Sequence, residues 1–161
     1  MDDSRLDEAY LTCTALQAVG QKVVLTNGVF DLLHLGHVRL LQKARQQGDF
    51  LMVAVNDDES TRILKGEGRP LYDQWTRVEM LSALRWVDFA FLFGHPSVYD
   101  TVELLRPDVL VKGGEYDTAE VVGAELVQSY GGTVQTLDVG VDVHSTRVLE
   151  CLRGGEGEGV L

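Results

Sequence analysis

The chain has 161 residues, which is the size of one ordinary domain. It carries 14 Lys and Arg against 25 Asp and Glu, so its formal net charge is −11 at pH 7. A surface this acidic argues against binding to nucleic acid or to an anionic membrane, because both need a basic face. The longest apolar run, residues 50–55, is too short to cross a membrane, and the acidic N-terminus is unlike a signal peptide. We therefore expect a cytoplasmic globular protein whose two cysteines, Cys13 and Cys151, are reduced and hold no metal.

Apolar strands alternate with helical patterns along the chain. A lead-in helix is predicted over 5–19, and strands over 22–26, 50–55, 87–93, 108–112 and 133–137. Helices are predicted over 37–47, 74–84, 98–105, 118–130 and 145–152, with a short helix and a mobile loop between 56 and 70. Continuous apolar strands are typical of parallel sheets covered on both faces. The pattern predicts one α/β domain over 1–153, a Rossmann-like doubly wound sheet of five parallel strands with helices on both faces, followed by a flexible Gly/Glu tail over 154–161.

The loop after the first strand carries the strongest chemical signal. It contains Gly28, which allows a tight turn, and it leads directly into a helix. His34 and His37 flank Gly36 at the start of that helix, so that both imidazoles can face one anion. A helix N-terminus offers free N–H groups and a favourable dipole to a phosphate. The loop therefore predicts a phosphate site at the carboxyl ends of the strands.

The stretch from Gly28 to His37 resembles the HxGH signature of the nucleotidyltransferase superfamily. Segments 64–66, 69–70, 110–116 and 121–125 are similar to one branch, the D-glycero-β-D-manno-heptose 1-phosphate adenylyltransferases, and the resemblance covers roughly residues 5–152. It implies transfer of AMP from ATP to a sugar 1-phosphate, with ADP-heptose of the lipopolysaccharide pathway and pyrophosphate as products. It also implies Mg²⁺ bound through the nucleotide phosphates and a possible homodimer. The kinase domain that precedes this domain in bifunctional ADP-heptose synthase lies outside these residues, so a separate sugar kinase is expected.

The resemblance also implies roles for individual residues. His34 and His37 would stabilise the phosphates during in-line displacement, with Lys65 as a mobile cation and Arg77 reaching the β- and γ-phosphates. Read without the resemblance, Lys65 is a solvated lysine and Arg77 a surface ion pair. The residues implied for nucleotide binding are Thr26, Asn27, Gly28, Val29, Phe30, Gly36, Lys112, Gly113, Gly114, Glu115, Ser145 and Thr146.

Three questions stay open at this level. Asp31 either binds the acceptor or orients His37, and Arg69 either serves the site or only closes its loop. Arg147 stands where the family usually has a second Thr after the Ser145–Thr146 pair. Alternative functions are a cytidylyltransferase acting on glycerol 3-phosphate or another alditol phosphate, and a nucleotide-binding module without turnover.

Overall fold

The computed structural model describes residues 4–114 and 117–140. Five parallel strands form one sheet in the order β3-β2-β1-β4-β5, which confirms the predicted Rossmann-like architecture. The strands are β1 (Val23–Gly28), β2 (Phe50–Asn56), β3 (Phe89–Phe93), β4 (Val109–Gly113) and β5 (Thr133–Leu137). The helices are α1 (Ser4–Ala18), α2 (Leu35–Arg45), α3 (Asp58–Lys65), α4 (Gln74–Ser82), α5 (Tyr99–Leu105) and α6 (Ala124–Ser129), with a 3₁₀ turn at Thr118–Glu120. None of the helices in these ranges is long and apolar enough to cross a membrane.

Alternate residues of the strands build two apolar layers. One face of the sheet, with Leu25 and Leu110, packs against α1, α5 and α6. The other face, with Val24 and Val111, packs against α2 and α4. The chain order reverses between β1 and β4, the neighbours at the centre of the sheet. In open α/β sheets that switch point leaves a crevice at the carboxyl ends of the strands, where ligands bind.

Several element boundaries differ from the sequence prediction by a few residues, and the differences in α2 and α6 have a reason in the structure. Helix α2 begins at Leu35, two residues before the predicted start, because His34 already takes the extended backbone of an N-cap (φ −138°, ψ 172°). The helix predicted over 118–130 is a 3₁₀ turn followed by α6. Gly123 separates them with φ +89°, and a Cβ there would lie 3.3 Å from the Val102 side chain.

The polar segment after β2 contains a real helix, α3. The Asp57 side chain caps it by accepting a hydrogen bond from the Ser60 N–H at 2.7 Å. The helix ends at Lys65 and is followed by its C-cap Gly66, whose φ is +87°. The predicted closing helix over 145–152 and the tail over 154–161 lie outside the described residues.

Candidate active site

The two histidines of the loop after β1 lie side by side at the start of α2. The imidazole rings of His34 and His37 are stacked, with centroids 3.8 Å apart and planes 26° apart. Both side chains are partly buried. Gly36, between them, is buried in the first turn of α2. The structure therefore brings together the histidine pair and the helix N-terminus that the sequence placed in one site.

The turn before the histidines is shaped by Gly28 and Phe30. Phe30 has a left-handed backbone (φ +50°), which is uncommon for an aromatic residue and strained. Its buried ring lies 5.1 Å from the ring of His37, centroid to centroid. A Cβ at Gly28 would come within 3.1 Å of the same ring. Gly28 thus leaves room for Phe30 to fold back and pack against His37.

Lys112 reaches from β4 to the end of β1. Its Nζ lies 3.4 Å from Oδ1 and 3.5 Å from the backbone oxygen of Asn27. Burial lowers the pKa of the Lys112 ammonium from its usual 10.5, and the positive charge of Lys65 lowers this pKa further. Among residues 4–114 and 117–140, no carboxylate forms an ion pair with Lys112. Two lysines without such a counter-charge suit an anionic ligand.

The neighbouring glycines let α2 and the end of β5 approach β4. A Cβ at Gly113 would lie 3.0 Å from Leu40 of α2. Gly114 has φ +122°, and its N–H donates to the Leu137 oxygen at 3.0 Å. Gly113 and Gly114 were both expected to bind the nucleotide. These contacts give them a structural role as well, because they let α2 and β5 lie close to β4.

Asp31 anchors a distant segment to the histidine loop. One carboxylate oxygen accepts hydrogen bonds from the N–H groups of Leu71 at 2.7 Å and Tyr72 at 3.1 Å. The other lies 2.9 Å from Nε of Arg69. Asp31 is buried; two N–H groups satisfy one of its oxygens, while the other is in ion-pair contact with Arg69 but accepts no hydrogen bond among the described residues. The acceptor-binding role expected for Asp31 stays a prediction beside this anchoring role.

Arg77 is fully buried beneath the site and is not a surface ion pair. Nη1 donates to the Val29 and Asn56 oxygens, both at 2.7 Å. Nε donates to the Tyr72 oxygen at 3.0 Å, and Nη2 lies 2.7 Å from Oδ1 of Asp58. These contacts join the histidine loop, the end of β2, the start of α3 and the segment before α4. They employ four of the five N–H donors of a guanidinium, so the expected reach to the β- and γ-phosphates stays a prediction.

Two residues of this network were missed by sequence reasoning. Asn56 ends β2, is buried, and its side-chain amide donates to the His95 oxygen at 3.1 Å. Asp58 pairs with Arg77 at the start of α3. A polar residue at the carboxyl end of an apolar strand was the available signal for Asn56, whereas nothing local marks Asp58.

Of the remaining expected site residues, two are described by the structure and the others are not. Thr26 is buried on the α2 face of β1, and its hydroxyl has no hydrogen-bond partner among the described residues. Lys65 is exposed at the end of α3. Glu115, Ser145, Thr146 and Arg147 lie outside the described residues.

Comparison with known proteins places the chain in a family. Residues 25–148 match the family model described as cytidylyltransferase-like. The chain is 44% identical over 142 residues to the Bifunctional protein HldE of Desulfatibacillum aliphaticivorans, covering 88% of this chain and 29% of that protein. It is 50% identical over 127 residues to the Bifunctional protein HldE of Syntrophotalea carbinolica, covering 79% of this chain and 26% of that protein. The chain thus spans less than a third of the length of these relatives.

Solved structures are also similar to the chain. A lipopolysaccharide core biosynthesis protein from Thermoplasma volcanium is similar, with a TM-score of 0.61, 34% identity, and coverage of 74% of this chain and 96% of that chain. The pantoate-beta-alanine ligase of Francisella tularensis, at 16% identity and a TM-score of 0.60 over 83% of this chain and 65% of its own, shares the fold. The sheet, the stacked histidines at the switch point and these matches together show that the chain belongs to the cytidylyltransferase-like family of nucleotidyltransferases.

Proposed function

We propose that this domain transfers AMP from ATP to a sugar 1-phosphate, D-glycero-β-D-manno-heptose 1-phosphate, and releases ADP-heptose and pyrophosphate. The observation that carries the proposal is the stacked pair His34 and His37 at the N-terminus of α2. The naming of relatives at 44% and 50% identity as Bifunctional protein HldE, together with the resemblance of the sequence to heptose 1-phosphate adenylyltransferases, supports the choice of acceptor.

The reaction is an in-line displacement at phosphorus. An ionised oxygen of the sugar phosphate forms a bond to the α-phosphorus of ATP. The bond from that phosphorus to the oxygen bridging to the β-phosphate breaks, and pyrophosphate leaves with the bonding electrons. Since the attacking oxygen already carries charge, no side chain has to remove a proton. The protein's part is therefore to position the phosphates and to stabilise their charge.

Different residues of the site have different parts in binding the phosphates and stabilising their charge. His34, His37 and the first N–H groups of α2 hold the phosphates of the nucleotide. Lys65 and Lys112 balance the charge that builds up as the two substrates come together. Arg77, Asp31 and Arg69 keep the loop of the histidines in place through buried contacts. Contacts to the nucleoside are proposed for Gly113, Gly114, Glu115, Ser145 and Thr146.

Mg²⁺ would enter with the nucleotide. The described residues contain no cluster of three or more His, Cys, Asp or Glu side chains that could hold a metal. Asp31 and Asp58 are each paired with an arginine, and the histidines and lysines of the site are not ligands that Mg²⁺ favours. Phosphate oxygens do fit its preference, so the chain would hold the ion by holding the phosphates. When bound, it neutralises part of the phosphate charge.

The reaction consumes a sugar phosphate that another enzyme activity has to supply. We propose that a separate sugar kinase supplies it.

The test is pyrophosphate release in the presence of Mg²⁺, with ATP and CTP each paired with heptose 1-phosphate and glycerol 3-phosphate. We expect release with ATP and heptose 1-phosphate only. Release with CTP and glycerol 3-phosphate alone would keep the chemistry and overturn the substrates. ATP binding without release from any pair would contradict the proposal and indicate a binding module.

A further inference from the structure

A cavity lies at the carboxyl ends of β1 and β4. Its volume is about 210 Å³. Asn27 and Lys112, from the two central strands, form one wall. Ser97 and Val98 before α5, and the segment 120–122 around the 3₁₀ turn, form the other. No residue of the predicted nucleotide set except Asn27 and Lys112 lines it.

The cavity lies on the opposite layer from the histidines. Asn27 continues the face of Val23 and Leu25, which packs against α1, α5 and α6. The histidines stand at the start of α2, which packs on the other face. A triphosphate held at α2 and a second substrate in this cavity would therefore meet at the strand ends, approaching from opposite sides. An in-line displacement needs the attacking oxygen opposite the leaving pyrophosphate, and entry of the two substrates from opposite sides is compatible with that geometry.

The lining suits a sugar ring. Val98 and Val121 are buried and give an apolar surface. Asn27, Ser97 and Glu120 surround it with hydrogen-bonding groups. Sugars present C–H faces together with a rim of hydroxyls, so a mixed lining of this kind matches them. The volume, about 210 Å³, is below the roughly 300–1,000 Å³ of sites for drug-sized ligands, so it suits one sugar ring better than a whole nucleotide.

Lys112 stands where the anionic end of such a ligand would lie. Its described partners are the two uncharged oxygens of Asn27, at 3.4 and 3.5 Å. A buried ammonium without a carboxylate is costly, and a phosphate would supply the missing charge. The same ammonium can then face the α-phosphate of the nucleotide as the two phosphates approach each other.

We propose that this cavity binds the sugar ring of the phosphorylated acceptor, with the acceptor phosphate at Lys112 and the hydroxyls read by Glu120, Ser97 and Asn27. The inference rests on the proposed function and assigns the specificity of the same site. It places acceptor recognition in the cavity and leaves Asp31 as an anchor of the loop 69–72.

The test fills the cavity without touching the catalytic groups. Val122 lines the cavity and is 51% exposed, so Val122→Trp adds bulk at the mouth without disturbing the core. Val19→Trp, at a position 74% exposed after α1, is the matched control. Glu120→Gln removes one charge at nearly constant shape, and Glu125→Gln on α6 is its control. Initial rates give the KM for heptose 1-phosphate and for ATP, and calorimetry with a nonhydrolysable ATP analogue gives the Kd of heptose 1-phosphate.

We expect Val122→Trp to raise the KM and the Kd for heptose 1-phosphate by about tenfold or more, with the KM for ATP within about twofold of wild type. The control variants should match wild type. Wild-type turnover with unchanged constants in both cavity variants would overturn this inference alone, and an equal rise in the KM for ATP would move the cavity to the nucleotide. A wild-type protein that neither turns over nor binds heptose 1-phosphate would overturn the proposed function and this inference together.

Discussion

Arg69 and Asp31 form a buried ion pair that ties the loop before α4 to the histidine loop. Nε of Arg69 lies 2.9 Å from Oδ2 of Asp31, and the side chains are 10% and 1% exposed. The second oxygen of Asp31 holds the N–H groups of Leu71 and Tyr72. One carboxylate therefore fixes the position of residues 69–72 relative to His34 and His37.

Asp31→Asn should destabilise the domain. The amide keeps an oxygen for the two N–H groups but leaves the charge of Arg69 buried without a partner. Removing one member of a buried pair costs about 3–5 kcal/mol, and urea unfolding measures the loss. The double variant Asp31→Asn, Arg69→Met should recover part of that loss. Strictly additive effects of the two changes would mean that the pair is not coupled.

The same variant separates the two roles considered for Asp31. If Asp31 is an anchor, the Asn variant should be less stable, and its kcat should fall because the histidine loop is misplaced. A direct contact to the acceptor predicts a raised KM for the sugar phosphate at unchanged stability. The unfolding midpoint and the KM, measured on the same preparation, decide between them.

Arg77→Lys should be as damaging as a non-conservative change. The guanidinium donates to three backbone oxygens and to Asp58 in four different directions. A lysine ammonium has three donors on a flexible stem and cannot reproduce this fork. We expect a loss of about 3 kcal/mol or more in the free energy of unfolding. Arg62→Lys, at an exposed position of α3, is the control and should leave stability unchanged. Equal stability of both variants would show that the four contacts contribute little.

The activity should fall at alkaline pH as Lys112 loses its proton. Burial and then the charge of Lys65 lower the pKa of this ammonium, so it deprotonates below its usual 10.5. Lys65→Gln removes the second cause, which raises the pKa of Lys112 and moves the alkaline limb of kcat/KM to higher pH. Lys43→Gln, at an exposed position of α2, should leave the limb in place. An alkaline limb at the same pH with and without Lys65 would show that the two ammonium groups are not coupled.

Cys13 should resist alkylation in the folded chain. Burial and then the charge of Asp108 raise the pKa of this thiol to about 11, and it donates to the Leu105 oxygen at 3.3 Å. At pH 8 it is therefore protonated and out of reach of solvent. In a Cys151→Ser variant, iodoacetamide should label it only after unfolding. Labelling of the native protein at the rate of a free thiol would contradict this.

The sheet could be predicted because its strands carry their own signal. The apolar run in β2 is buried on both faces, and a parallel strand covered by two helical layers is what such a run requires. The break at Gly123 could not be predicted from helical periodicity, since it depends on the contact with Val102 from another helix. The start of α2 was misplaced by two residues because the extended N-cap role of His34 is a property of the whole loop.

The candidate site also contains one part that local sequence predicts and another part that it does not. The histidine pair and Gly28 lie in one short segment beside a strand end, where local sequence already indicates a phosphate site. The partners of Asp31 and Arg77 come from segments far away in the chain, and only packing brings them together. That is why local sequence cannot show that Arg77 is a buried hub of hydrogen bonds and not a surface ion pair; its reach to the phosphates stays a prediction.

The most direct test of the histidine pair is the kcat of His37→Ala together with its affinity for ATP. We expect kcat to fall by about 10²–10³, because a phosphate donor that acts in the transition state is lost, and the Kd for ATP to change little. His95→Ala, an exposed histidine after β3, should behave as wild type. A His37→Ala enzyme with wild-type kcat would contradict the role of the histidine pair on which the proposed function rests.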